Sequence, residues 1–300
     1  MKSGRVRGIV GVCLVVVFFL GVSGCAYVGE RVAKRSMRTF FSMTYEDLIK
    51  HILLIDCDML ARDGVGGAAV ITQLVNTFIA DQRELNSINA LVYAAYGILV
   101  EYEDPKYAMY LLKKGTEYGL TALKTNKKFR EGLEKGEKIH TLVQHLGKEY
   151  KGPLLFTALG WFYIIYIDPD DMFELVNLPD VIAMLDRSLE LDDEYLYGLG
   201  MAFRGGYYAF LPEMLGLGGG PESSTATFDK AKEMSDGKVV IADTLRARFL
   251  STLMKDEEEF DRLLKKTVEL PRNYYPEATL LNELARWLAK QWIRDKDEWF

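Results

Sequence analysis

The sequence has 300 residues, of which 49% are hydrophobic and 27% are charged, and this balance excludes an intrinsically disordered chain. Its 37 basic and 43 acidic side chains leave a formal net charge of −6 at pH 7. Nucleic-acid binding needs basic patches that offset phosphate repulsion, so no nucleic-acid partner is expected of this acidic chain.

The N-terminus has the layout of a bacterial secretory signal peptide. Basic residues in the first seven positions precede an apolar run over residues 9–20, and small residues then precede Cys25. This order matches the lipobox, in which the cysteine is acylated and becomes the new N-terminus. A transmembrane anchor is the weaker alternative, since a span needs ~20 apolar residues. We predict a lipoprotein signal peptide over residues 1–24, lipidation at Cys25 and a lipidated tether over residues 25–43.

A lipid at Cys25 would hold the mature protein on the periplasmic surface of a membrane without a spanning helix. Position 26 is alanine and not aspartate, the residue that commonly retains lipoproteins in the inner membrane. In a host with two membranes, this predicts anchoring to the outer membrane. With Cys25 acylated and the signal removed, Cys57 is the only remaining thiol, so the mature monomer cannot form an internal disulfide.

Beyond the tether, apolar residues recur at helical spacing and strand signals are scarce. Proline repeatedly stands in the first turn of a predicted helix and glycine after the last turn. In chain order, the predicted helices cover residues 45–62, 68–80, 88–100, 106–123, 129–146, 153–167, 179–191, 196–211, 221–235, 241–254, 257–269 and 276–300. We therefore predict a single helical domain over residues 44–300.

Several of these helices match the spacing of tetratricopeptide (TPR) repeats, in which a glycine on the first helix lets the partner helix approach closely. The matches are Phe156, Leu159, Gly160 and Tyr163 for a first helix, and Ala108, Leu112 and Gly115 for a second. Any amphipathic helix pair produces some of these matches, which is the alternative interpretation. The predicted fold class is all-α, as a TPR-like helical-hairpin solenoid with a concave partner-binding face.

Three stretches of the chain are similar to the TRAP transporter T-component family, TatT. They are residues 94–123, residues 207–231 and the tail from Tyr275 to Phe300. With the lipobox and the helix order, the resemblance covers essentially the whole chain. It implies a periplasmic helical lipoprotein that associates with the P-component, the solute-binding protein of a TRAP transporter. It also implies a homo-oligomer, for which a trimer around a pore is one form, and it brings no catalytic residues.

Residues that could perform catalysis or bind a metal do not form a convincing set. His140 and His145 are five residues apart and face different sides of a helix, so a shared metal is not expected. The glycine-rich run from Gly216 to Glu222 lacks the Lys-Ser/Thr ending of a phosphate-binding loop and is better explained as a turn between helices. We therefore predict no enzyme activity, no cofactor and no metal.

Aromatic residues concentrate on two predicted helices and suggest a ligand pocket or a partner surface, for which we select Trp161, Tyr207 and Tyr208. Packing between repeats is the alternative for all three. Asn282 is a polar residue on an apolar helix face. It would bond a backbone group at a repeat end or, alternatively, contact a ligand or line a pore.

The leading functional hypothesis is a non-enzymatic transport accessory that binds a periplasmic solute-binding protein and guides an apolar or anionic solute. The alternative is a generic TPR lipoprotein that scaffolds assembly of the cell envelope or the outer membrane. An unrecognised hydrolase is a distant third. The sequence does not specify the solute.

Overall fold

The structure is a computed structural model that describes residues 26–55, 58–211 and 218–300. Within these ranges the chain forms helices and turns and no strand, which confirms the all-α class. The chain divides into two units, Met1–Thr44 and Tyr45–Phe300. The predicted lipidation site Cys25 and the lone thiol of Cys57 lie outside the described residues.

The helices in the first part of the described chain differ widely in length. In chain order they are α1 (Ala26–Leu53), α2 (Asp58–Asn76), α3 (Arg83–Val100), α4 (Pro105–Leu123), α5 (Lys127–Glu134), α6 (Ile139–Leu142), α7 (Lys151–Ile167) and α8 (Met172–Leu175). Short 3-10 turns, Val143–His145 and Lys148–Tyr150, precede α7.

The second part of the chain continues the helical pattern. Its helices are α9 (Leu178–Leu191), α10 (Leu199–Phe210), α11 (Pro221–Glu233), α12 (Ile241–Arg246), α13 (Thr252–Met254), α14 (Glu257–Glu269) and α15 (Thr279–Arg294). A π-helical segment, Ala247–Ser251, joins α12 to α13. The 3-10 turns Pro276–Ala278 and Lys296–Glu298 flank α15.

Side-chain caps and prolines explain where several helices begin. Asp104 accepts a hydrogen bond of 3.0 Å from the backbone N–H of Tyr107 at the start of α4, and Pro105 occupies the first helical position. Asp256 caps α14 in the same way through the N–H of Glu259, at 2.8 Å. Each cap satisfies a backbone donor that has no partner inside the helix.

Two of the predicted helices are wrong in their extent. The helix predicted over residues 129–146 is broken, because Gly136 adopts a left-handed φ of 82° and the N–H of Glu137 turns back to bond the carbonyl of Gly132 at 3.0 Å. The helix predicted over residues 45–62 ends at Leu53, and α2 runs through the Asp-Gly pair that we expected to stop it.

A third boundary moves because of local backbone conformation. The helix predicted from residue 196 begins only at Leu199. Leu196 and Tyr197 have φ values of 54° and 58°, and Gly198 follows at 76°. Consecutive left-handed residues cannot extend a right-handed helix, so the helix starts after them.

The helices pack mainly against their neighbours in the chain. Helix α3 pairs with α4, α7 packs against both and against α9, α10 pairs with α11, and α14 pairs with α15. Helix α12 fits between α10, α14 and α15. Helical hairpins thus follow one another along the second unit, while the narrower TPR-like solenoid stays a prediction.

Helices approach closely around α4, where two glycines leave no room for a side chain. A Cβ atom on Gly115 would lie 3.1 Å from the backbone nitrogen of Ala94, and one on Gly119 would collide with the buried side chain of Thr157 on α7. A Cβ on Gly160 would meet its nearest neighbour at an ordinary 3.4 Å. The close approach that we expected at Gly160 therefore occurs on α4.

The last long helix returns to the beginning of the helical array. Helix α15 packs against α2, and the indole Nε1 of Trp292 donates a hydrogen bond of 2.7 Å to the hydroxyl of Tyr102, just beyond α3. This contact brings the first and last hairpins of the second unit together around an internal space.

Candidate functional site: an apolar cavity and its surroundings

The internal space is a cavity of about 110 Å³, measured as the volume open to the centre of a water-sized sphere. It lies between α3, α7, α10, α12 and α15. The lining residues are Leu91, Ala94, Ala95, Ile98, Leu99, Phe156, Leu159, Tyr163, Leu199, Phe203, Ile241, Leu245, Leu281, Leu284 and Leu288.

Helical periodicity explains why these residues share one space. On α15, Leu281, Leu284 and Leu288 are spaced by three and four residues and therefore lie on one face. On α3 the same face carries Ala94 and Ala95, whose short side chains leave the space unfilled. The cavity results from two adjacent alanines opposite a wall of leucines.

The cavity wall is apolar throughout. Tyr163 is the one lining residue with a hydroxyl group, and burial raises the pKa of that group well above its usual range. An apolar wall of this kind favours apolar groups; engineered apolar cavities of ~150 Å³ bind benzene. The wall offers no acid, base or nucleophile at neutral pH, so its chemistry is binding.

The structure does not bring the four residues of the predicted ligand or partner surface together at one place. Asn282 is 4% exposed and bonds the backbone between α11 and α12. Its Oδ1 accepts from the N–H of Val240 and its Nδ2 donates to the carbonyl of Lys238, both at 2.9 Å. Both ends of its amide are therefore engaged by the backbone.

The adjacent residues Tyr207 and Tyr208 on α10 have different surroundings. Tyr207 is 2% exposed, packs edge-on against Phe162 with ring centroids 6.1 Å apart, and its hydroxyl has no hydrogen-bond partner among the described residues. Tyr208 is half-buried, and its hydroxyl accepts a hydrogen bond of 2.8 Å from Nε of Arg204. Of this pair, only Tyr208 reaches the surface.

Trp161 is half-buried on the outer side of α7. Its indole Nε1 donates to Oε2 of Glu174 at 3.0 Å, and Oε1 of the same carboxylate pairs with Lys113 at 3.0 Å. This link fixes the short helix α8 against α4 and α7. Trp161 therefore lies beside the solvent-exposed side chains of α8.

The sequence profile described as TRAP transporter T-component matches residues 78–300. The chain belongs to the TRAP transporter T-component family. The resemblance stated from the sequence is thereby confirmed, and the chain has the accessory role of that family in TRAP transport. A search of curated proteins gave no match.

This T-component exposes an apolar cluster on and beside α8, next to Trp161. Met172, Phe173 and Val176 are 68%, 88% and 73% exposed. Aspartates at positions 168 and 170 stand exposed immediately before them. Large apolar side chains with this exposure are typical of protein contact surfaces.

A polar cluster around Arg248, in the π-helical segment of this T-component, was not predicted from the sequence. The carbon at the centre of its guanidinium lies 4.1 Å from the ring centroid of Trp299 and 5.4 Å from that of Tyr166. Burial raises the pKa of the nearby Glu101 to about 7, and the charge of Arg248 opposes the rise. A π-helix leaves no mark in the apolar periodicity, so the sequence held no signal for this cluster.

Among the described residues, no group of three or more histidine, cysteine, aspartate or glutamate side chains is placed to hold a metal ion. The imidazole Nδ1 of His140 instead lies 2.7 Å from Oδ1 of Asp180. In the same part of the chain, every helix is too short or too polar to cross a bilayer.

Proposed function

We propose that this chain holds the periplasmic solute-binding protein, the P-component, of a TRAP system and receives the apolar part of its solute. The observation that carries the proposal is the cavity with a wholly apolar wall in a member of the T-component family. Apolar walls retain a solute through burial of its hydrocarbon surface and leave it chemically unchanged.

The exposed cluster of Met172, Phe173 and Val176 is the proposed contact surface for the P-component. Burial of such side chains releases about 25 cal/mol for each Å² of apolar area that leaves water. Aromatic residues at the centre of an interface commonly dominate its affinity, which makes Phe173 the proposed anchor.

A second exposed apolar stripe supports the proposal that the protein is a homo-oligomer, with a trimer as one form. It lies along the outer face of α2 and the turn after it. Its members are Val70, Ile71, Leu74 and Phe78, each at least half exposed. The mass of the purified full chain, measured by sedimentation, tests this proposal: a monomer at micromolar concentration would contradict it.

The proposed anchor is a lipid on Cys25 that faces the periplasm, with the outer membrane as the proposed location. A Cys25→Ser chain should leave the membrane fraction or remain unprocessed. Retention of both acylation and membrane fractionation by this variant would contradict the proposed anchor.

Co-purification of the full chain with a TRAP solute-binding protein of the same organism tests the proposed function directly. We expect stoichiometric association, lost on Phe173→Ser and retained on Tyr274→Ser, because Tyr274 is an exposed aromatic residue, at 44%, that does not belong to the cluster. If both variants bind alike, the contact surface is wrong. If the wild-type chain retains no solute-binding protein at micromolar concentration, the alternative of an envelope-assembly scaffold replaces the proposal.

A further inference from the structure

A surface groove of about 380 Å³ lies beside the π-helical segment, near the C-terminus of the chain. It is bordered by residues from α7, α10, the π-helix, α13 and the tail. They are Tyr166, Ala209, Phe210, Arg248, Phe249, Thr252, Leu253, Lys255, Glu298 and Trp299. Six of the ten are apolar or aromatic, and three are charged: Arg248, Lys255 and Glu298. Of these three, Arg248 lies against the rings of Tyr166 and Trp299.

The position of Arg248 is set by aromatic stacking. Its guanidinium lies 4.1 Å from the centroid of Trp299 and 5.4 Å from that of Tyr166. Stacking against ring faces restricts a guanidinium to one plane, in which the N–H groups on its edge can donate hydrogen bonds. This edge matches the two oxygens of a carboxylate.

Arg248 lacks the acidic partner that the neighbouring arginine has. Arg246, two residues earlier, pairs with Asp229 at 2.8 Å and with Glu259 at 3.0 Å. Within the described part of the chain, Arg248 forms no ion pair, and its buried Nε has no hydrogen-bond acceptor. A buried donor without an acceptor is unfavourable, and a bound acceptor would remove that cost.

The buried carboxyl of Glu101, which feels the charge of Arg248, is a poor counter-ion for it. Burial raises the pKa of Glu101 to about 7, so this carboxyl is partly protonated at neutral pH. Burial also raises the pKa of Tyr102, and Arg248 acts against that rise. Glu101 therefore neutralises the positive charge of Arg248 only in part, and the other carboxylate at the groove, Glu298, forms no ion pair with Arg248 among the described residues.

The local backbone gives a separate indication of a site. Arg248 occupies the second position of the π-helical segment, and such segments occur frequently at functional sites. The groove also adjoins the cavity wall, because the ring centroid of Tyr166 lies 5.9 Å from that of Tyr163, which lines the cavity.

We propose that Arg248 binds the carboxylate of an organic acid whose apolar portion packs against Tyr166, Phe249 and Trp299 in this groove. The proposal deepens the proposed function and rests on it for the ligand's role as the solute. It adds a binding site outside the apolar cavity and a chemical class of ligand.

Calorimetric titration of the full chain in lipid nanodiscs with hexanoate tests the proposal, with hexanamide as a neutral ligand of the same shape and empty nanodiscs as the blank. We expect hexanoate to bind at least tenfold more tightly than hexanamide. Arg248→Gln should abolish this preference, and Arg248→Lys should restore part of it. Arg246→Gln is the matched control, since it removes an arginine that is already ion-paired, and it should keep the preference.

Equal binding of both ligands by the wild-type chain, or the absence of binding heat at millimolar hexanoate, would overturn the proposal without any variant. An unchanged preference in a folded Arg248→Gln chain would also overturn it. If Arg248→Gln fails to fold, the comparison of hexanoate with hexanamide and the Arg248→Lys chain still decides. Failure here with intact co-purification of the solute-binding protein would refute the groove and leave the proposed function standing.

Discussion

Two contact regions of the same helical array differ sharply in how they fill space. Between α4 and α7, Gly119 meets the fully buried Thr157 so closely that even a methyl group has no room. On the opposite side of α7, a cavity of about 110 Å³ stays open among fifteen lining residues. Because the chain packs tightly where α4 meets α7, the open space is not a general property of this fold. It follows from the small residues Ala94 and Ala95 on α3.

The difference shows where this chain gives up stability. Protein interiors normally reach the density of organic crystals, and unfilled apolar space costs about 24 cal/mol for each Å³. A larger residue at position 94 or 95 could close the cavity and raise stability. A core that served packing alone would therefore not keep this space open. Binding an apolar group would recover the lost stability.

Filling the packed region should have the largest effect. We expect Gly119→Ala to lower the free energy of unfolding by about 2–3 kcal/mol, because the new methyl group must displace the bonded side chain of Thr157. Gly160→Ala is the matched control on α7. Its methyl group meets only ordinary contacts, so helix propensity should stabilise this variant by about 0.5–1 kcal/mol. Urea denaturation measures both, and equal effects would contradict the comparison.

The junction of α15 with the loop before α12 should be the next most sensitive. Asn282→Ala removes two hydrogen bonds of 2.9 Å and leaves the N–H of Val240 buried without a partner. We expect a loss of about 2 kcal/mol in the free energy of unfolding. Leu253→Ala, at an exposed position, serves as the control. A near-neutral Asn282→Ala chain would show that its backbone contacts do not hold this junction.

The acidic group near the open region should give a pH-dependent effect. Burial raises the pKa of Glu101 to about 7, against a value of 4.5 in the unfolded chain, so the folded chain binds this proton more tightly. Its contribution to stability is therefore complete below pH 4.5 and is lost as the pH rises to 7. Glu101→Gln should be more stable than the wild type by about 2 kcal/mol at pH 8 and nearly equal at pH 4. A constant difference across this range would contradict the raised pKa.

Filling the cavity itself should have the smallest effect on stability and the clearest effect on binding. Ala95→Leu adds three carbons to the apolar space, and we expect about 1 kcal/mol of stabilisation. Benzene should raise the melting temperature of the wild-type chain and leave that of the variant unchanged. Strong destabilisation by Ala95→Leu would mean that this part of α3 is packed like α4, and the comparison would fail.

Much of the helical framework could be predicted because its signals are local. The stop at Asp168-Pro169 and the start at Pro221 were both correct, since proline fixes φ and lacks an N–H donor. The breaks at Gly136 and at Leu196 were missed, because left-handed residues have no reliable pattern in apolar spacing.

The site was harder to predict than the helices. The apolar face of α15 was visible as leucines around Asn282, but a cavity depends on which faces meet across the fold, and that is a non-local property. Tyr207 and Tyr208 are adjacent in sequence, yet one is buried and the other half-buried. The prediction that they form a ligand or partner surface with Trp161 and Asn282 stays a prediction.

The hydrogen bond between Trp292 and Tyr102 has a consequence for how the protein folds. It joins residues 190 positions apart, whereas most helix pairs in this chain are sequence neighbours. Local pairs form quickly, and a distant closing contact forms late because the loop entropy must be lost first. A chain that emerges N-terminus first would thus complete its hairpins while the leucines of α15 are still absent. The apolar faces around the future cavity would stay wet until the final helix docks.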